Sequence, residues 1–240
     1  ILDPHAFRWL ASRVCRVSAK FSWMPEYLEP WGFNQAQVPE KESDHFDSLG
    51  FRGGVKTIGF LGAKGKRKGV ELLLRAFSET SELHNSVLLL AGEHGRETRK
   101  LLTTKYSALV ARRRIVSVDR FLSEEEFQNV FREIDLLCLP YRDHQAVSSI
   151  YLRAATLGKP TLASDKGWFS WAVPHYGHGE MVDVNSPGAF RESLLRFIKK
   201  PSQEHRITDQ SEQILLENSP ASVKDAWTAL LRSRLSGSAF

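Results

Sequence analysis

The sequence predicts an α/β fold: a Rossmann-like, mostly parallel β-sheet with helices on both faces. Three observations predict it. From Gly54 onward, short apolar runs alternate with stretches of helical periodicity. No hairpin signal separates successive runs, so the strands pair in parallel through right-handed crossovers. The runs are apolar without alternation, as strands covered on both faces must be.

The elements can be read in order. Asp3 to Lys20 places Phe7, Leu10, Ala11, Val14 and Val17 on one helical face, and 22–54 is an irregular connector punctuated by Pro and Gly. Val55–Leu61 reads as a buried strand, followed by a helix with Val70, Leu73, Leu74 and Phe77 inward. Val87–Ala91 is a strand, then a single helix carries Leu102, Tyr106, Leu109 and Val110, and Ile115–Val118 is the next strand. Ser123 to Glu126 forms a capping box, in which hydroxyl and carboxylate each satisfy one orphan N–H of the helix that follows. That helix carries Phe127, Val130, Phe131 and Ile134. Leu136–Leu139 is a strand stopped by Pro140, Ser148–Leu157 a helix stopped by Gly158, and Pro160–Ala163 and Glu180–Val184 are further strands. Pro187–Ile198 is a helix, and one or two more occupy about 203 to 235. His175 and His178 fall in what reads as a polar loop.

Composition narrows the function classes. Hydrophobic residues at 42% and charged residues at 25% are globular values, not those of a disordered chain. No apolar run approaches the roughly 20 residues needed to span a bilayer. Cys15 and Cys138 are two distant thiols, which point to a reducing, cytoplasmic home rather than a disulfide framework. A net charge of +5 over 33 cations and 28 anions is a mild surplus. It allows peripheral contact with the inner face of a membrane. Nucleic acid is not expected as a partner, because aromatics between the cations are lacking. The phosphate-loop, dinucleotide-fingerprint and nucleophile-elbow patterns are absent, and neither an Asp-x-Asp pair nor a metal-ligand spacing occurs.

In a doubly wound sheet, ligands bind beyond the carboxyl ends of the strands. After the first strand come Gly62, Lys64, Lys66, Arg67 and Lys68, against the N-terminus of a helix. Cations there repel the helix dipole, so a bound polyanion explains them better than a merely solvated loop does. Ser148 and Ser149 open another helix, where hydroxyls and backbone N–H groups can hold phosphate oxygens or simply cap. Arg112-Arg113-Arg114 reads as a solvated helix end.

Several segments, taken in order, resemble the C-terminal, donor-binding domain of group 1 (retaining) glycosyltransferases, one half of a GT-B fold. They are Val55–Gly62, Lys68–Phe77, Leu88–Gly92, Ile134–Pro140 and Ala154–Ser164. The resemblance covers about 145 residues. It implies a nucleotide-diphosphate sugar, UDP- or GDP-linked, as donor substrate, with no further cofactor and no metal. Lys68, taken as the catalytic cation, and the backbone around Ser148, Ser149 and Ile150 would hold the diphosphate. Gly62 and Lys64 would complete that loop, and Arg120 and Phe121 would flank the base. The family's two glutamates, which hold the donor sugar and the ribose, fall on Gln145 and Arg153. Gln145 can still bond hydroxyls, whereas Arg153 can accept no hydrogen bond. Ala63 stands where the family usually has Arg.

The resemblance also implies a domain plan. Residues 1–54 would be the remnant of a missing acceptor-binding N-terminal domain, 55–199 the nucleotide-sugar domain and 200–240 its C-terminal helices. The chain alone would then transfer no sugar. The alternatives are a non-catalytic sugar-nucleotide or glycan-binding module with a degenerate donor site, and a sugar-nucleotide epimerase of the same fold.

Overall fold

The computed structural model describes residues 55–62, 66–199 and 209–235. The expected helix at 3–20, the connector up to Gly54, and Lys64 lie outside them. Six parallel strands form one sheet: β1 (Lys56–Leu61), β2 (Ser86–Ala91), β3 (Ile115–Val118), β4 (Leu136–Leu139), β5 (Thr161–Ser164) and β6 (Glu180–Val182). Their order is β3-β2-β1-β4-β5-β6. β1 runs in register with β2 from Lys56 opposite Ser86 to Leu61 opposite Ala91, and touches β4 at Ile58 and Gly59.

Right-handed crossovers divide the helices between the faces. α1 (Val70–Ser78), α2 (Arg96–Thr103) and α3 (Ser107–Ala111) connect β1, β2 and β3 in one direction. α4 (Glu124–Glu133), α5 (Ser149–Thr156) and α6 (Phe169–Tyr176) connect strands in the other direction and cover the opposite face. α7 (Pro187–Lys199) packs on α1, while α8 (Asp209–Glu217) packs on α5 and α6. α9 (Pro220–Leu235) follows. Ile58, Leu61, Leu88–Ala91 and Leu136–Leu139 are buried between the layers with Leu73, Phe77, Phe131 and Phe190. The apolar strand runs thus carry both core faces, which is why alternation was absent from them.

The parallel sheet stands as the sequence predicts, with three local differences. The single helix expected over 102–110 is two, broken at Thr104, whose backbone leaves helical space (φ −115°, ψ −87°). Leu102 and Tyr106 still reach the core from either side of the break. Segment 169–176, unassigned by periodicity, is α6. It contains Pro174 and buries Phe169, Ala172, Val173 and Tyr176. Of the segment expected as a polar loop, His175 and Tyr176 belong to α6 and only 177–179 form the turn that leads into β6. His175 lies in the last turn of α6 and stacks on Trp171, while His178 Nε2 lies 3.0 Å from the Lys159 carbonyl, and burial pushes its pKa down. In α5 the buried places are taken by Tyr151, Leu152, Ala154 and Ala155, while Ile150 is half-buried.

Candidate donor site at the switch point

The strand order reverses between β1 and β4, and the loops after these two strands face each other across that switch point. Gly62 ends β1 with φ +116°, and its N–H donates to the Ala91 carbonyl at 2.9 Å. A Cβ on Gly62 would stand 2.7 Å from Lys68 Nζ and 3.1 Å from Ile150 Cδ1. Three residues singled out from sequence, Gly62, Lys68 and Ile150, thus meet at one point. Glycine is needed there for its conformation and for room beneath the ammonium group.

Lys68 closes the one-turn helix Lys66–Lys68, which is tied to the β4 loop by the Arg142 N–H donating to the Arg67 carbonyl at 2.7 Å. Gly69 follows with φ +68°, pressed against Pro140 so closely that a Cβ would overlap its carbonyl oxygen. Lys68 Nζ lies 5.2 Å from the centroid of the Tyr141 ring. Burial, with a smaller contribution from neighbouring Arg67, lowers the Lys68 pKa. An ammonium group partly stripped of water beside a second cation gains most from an anion that neutralises it.

α5 supplies the opposite wall. Ser148 caps it, its Oγ accepting from the Tyr151 N–H at 3.4 Å. Helical geometry gives the preceding amides, those of Ser149 and Ile150, no acceptor within the helix. They lie at the positive end of the helix dipole, beside the residue whose side chain covers Gly62. Ser149 is exposed and Ser148 buried, so Ser148 caps while Ser149 faces solvent.

The remaining candidates are engaged with other protein groups. Gln145 Nε2 donates to Asp143 Oδ1 at 3.3 Å. Arg120 forks onto Glu126 at 2.6 and 2.8 Å, and Glu126 completes the capping box by accepting from the Ser123 N–H at 2.8 Å. Arg120, and then the Ser123 amide, hold the Glu126 carboxyl down to about 2. Phe121, beside this brace, is 83% exposed. Arg153 turns toward α4 rather than toward Ser149: its Nη1 is 3.1 Å from Glu124 Oε1, and its guanidinium lies over the Phe127 ring at 5.7 Å. Its side chain is 21% exposed against 52% for Glu124. Glu124 was visible in the sequence only as a first-turn residue of a capped helix. Its pairing with Arg153, across 29 positions, has no local signal.

Beneath the β4 loop, Tyr141, His144 and Phe169 pack ring to ring, with Tyr141 and His144 4.9 Å apart. Burial, and then the charge of Lys68, lowers the His144 pKa, so His144 presents a neutral ring beside the lysine. Among the described residues, no group of three or more His, Cys, Asp or Glu is placed to hold a metal ion.

Residues 41–214 match the family model of glycosyl transferases group 1. The chain belongs to that family. Curated relatives include an uncharacterized glycosyltransferase of Methanocaldococcus jannaschii, 25% identical over 71% of this chain and 43% of its own length. A D-inositol 3-phosphate glycosyltransferase of Corynebacterium jeikeium is 27% identical over 62% of the chain and 37% of its own length. The chain therefore spans less than half of these relatives. Among solved structures, sucrose-phosphate synthase of Thermosynechococcus elongatus superposes with a TM-score of 0.75 at 16% identity, over 99% of this chain and 58% of that one. WaaG, a glycosyltransferase involved in lipopolysaccharide biosynthesis, gives 0.69 at 18% identity over 91% and 57%. Anabaena HepE, solved with UDP and glucose, gives 0.68 at 15% over 82% and 53%. The fold of the group 1 chain is thus the Rossmann-like half of a GT-B architecture.

Proposed function

We propose that this chain is the donor-binding half of a glycosyltransferase that transfers a sugar from a nucleoside-diphosphate donor, without a metal ion. The observation that carries the reading is the convergence of Lys68 Nζ and Ile150 on Gly62, at the N-terminus of α5 and at the switch point. In transfer, the bond between the sugar's anomeric carbon and the diphosphate oxygen breaks, and an acceptor hydroxyl replaces it and gives up its proton. Negative charge grows on the departing diphosphate. Lys68 and the Ser149 and Ile150 amides stand where that charge collects, and fixed donors in a partly dehydrated site stabilise it well. The acceptor's half of the active site belongs to the length of the relatives that this chain does not span.

On the nucleoside side, Glu124 takes the place that the family's ribose glutamate leaves at Arg153. Its carboxylate can accept hydrogen bonds from two hydroxyls, and Arg153, held over Phe127, fixes its direction. The exposed Phe121 ring offers a face for the base, and the Arg120–Glu126 brace holds its loop. Isothermal titration of the chain with UDP, GDP and their sugars, in the presence of a chelator, tests the reading. Saturable binding of one nucleoside diphosphate is expected. Silence toward all of them at millimolar concentration would leave the degenerate-site alternative standing.

A further inference from the structure

One stretch of this protein outweighs its whole net charge. The 19 residues from Arg96 to Arg114 hold seven Lys and Arg against a single acid, Glu97, a net of +6. The whole chain carries +5, so everything outside that stretch sums to −1. The stretch is α2, the turn after it, α3 and the lead into edge strand β3. Its apolar residues point inward: Leu102 and Tyr106 are buried, and Leu101, Leu109 and Val110 pack against the core. Its outer surface exposes Arg96, Lys100, Lys105, Arg112 and Arg113 among Ser107, Ala108 and Ala111. Two further cations have local work: Arg99 pairs with Asp119, and Arg114 donates to the Leu83 and Ser86 carbonyls.

Arg113 adds an independent observation. Among the described residues it is the only non-glycine with positive φ, at 55°. It sits just past the end of α3, where the Arg114 N–H closes back on the Leu109 carbonyl at 2.8 Å and glycine is the usual occupant. A side chain is strained there. A cation that favours the helix C-terminus is already present in Arg112, so the dipole does not require a second at this strained position.

We propose that the outer face of α2 and α3 docks the protein on an anionic phospholipid bilayer. Five exposed cations among small exposed side chains on one helical stretch suit a sheet of headgroup phosphates. Among the described residues, none of the exposed large hydrophobics, Phe121, Met181, Leu216, Trp227 and Leu231, lies on it, so contact is electrostatic and without insertion. The face also lacks the exposed aromatic rings on which single-stranded nucleic acids stack. The proposal does not rest on the donor-site reading.

The test is sedimentation of the chain with vesicles of phosphatidylcholine alone and of phosphatidylcholine mixed with phosphatidylserine. The chain should sediment only with the mixed vesicles, and release as added salt shortens the screening length from about 8 Å. Each cation removed should weaken binding about fivefold, so Arg112→Ala with Arg113→Gly should lose about 25-fold. Arg113→Gly relieves backbone strain, so its melting temperature should hold or rise while vesicle binding falls, which separates docking from folding. Arg191→Ala, which removes an exposed cation from α7, should bind as wild type does. Equal binding to uncharged vesicles, an Arg191→Ala loss matching that of Arg113→Gly, or tighter binding to a polyanionic nucleic acid than to mixed vesicles would each overturn the proposal.

Discussion

The two halves of the proposed donor site are built differently. The phosphate side, where Gly62, Lys68, Gly69 and the start of α5 meet, is made of backbone and one cation. Its glycines are packed so tightly that little else fits. The nucleoside and sugar side consists of exchangeable side chains that satisfy one another: Arg153 with Glu124, Arg120 with Glu126, Gln145 with Asp143. Backbone geometry tolerates few substitutions. A carboxylate can be supplied from another helix, provided a cation turns it the right way. The phosphate side therefore keeps the glycine and the lysine that the resemblance points to, although Ala63 departs from it, while the proposed hydroxyl-binding side departs at both Gln145 and Arg153.

The largest expected effect would break the rigid half. Gly69→Ala puts a Cβ into the Pro140 carbonyl at a left-handed position and should cost about 2–4 kcal/mol of stability, read from a denaturant midpoint. A midpoint unchanged from wild type would mean that the β1 and β4 loops are not locked together.

Lys68→Ala should leave folding nearly unchanged and weaken nucleoside-diphosphate binding about 10- to 100-fold, the worth of one charge-assisted hydrogen bond at ~1.4 kcal/mol per decade. Arg67→Ala, on the exposed side of the same turn, should matter less. Equal affinities for wild type and Lys68→Ala would remove the lysine from the site.

Glu124→Gln sharpens the comparison on the exchangeable side. It should lower affinity for UDP about tenfold, as a charged hydrogen-bond partner becomes a neutral one, and erase most of the preference for UDP over its 2′-deoxy analogue. Diphosphate alone should bind the variant as it binds wild type. If discrimination between ribose and deoxyribose survives in Glu124→Gln, the ribose contact lies elsewhere.

The smallest effect concerns pH. Burial is the leading cause that lowers the pKa values of His94, His144 and His178 from the ordinary value of 6.5. Below that value the unfolded chain binds protons that the native histidines refuse, so stability present near pH 7 is lost as pH falls through the folded-state values. A melting temperature that declines steadily from pH 6.5 downward is expected. A flat profile between pH 7 and pH 5 would show that these rings charge freely in the fold.

The fold was largely legible because its signals are local. Val70, Leu73, Leu74 and Phe77 announce α1 by spacing alone, and Ser123 with Glu126 announces the start of α4. α6 was not legible because Pro174 and a cluster of aromatics obscure its period, and its helical state comes from packing on β5 and β6. The break at Thr104 was hidden because Leu102 and Tyr106 keep helical spacing across it. The meeting of Lys68 with Gly62 was legible from their place after a strand. Arg153 stood out as a misfit, but its partner did not, since no periodicity connects Arg153 to Glu124.

The most direct measurement is a crystal structure of the chain soaked with UDP. The diphosphate should lie within hydrogen-bond reach, about 2.7–3.2 Å, of Lys68 Nζ and of the Ser149 and Ile150 amides, with the ribose hydroxyls on Glu124 and Arg153 still behind it. A diphosphate bound away from Lys68 and the start of α5 would contradict the account at its centre.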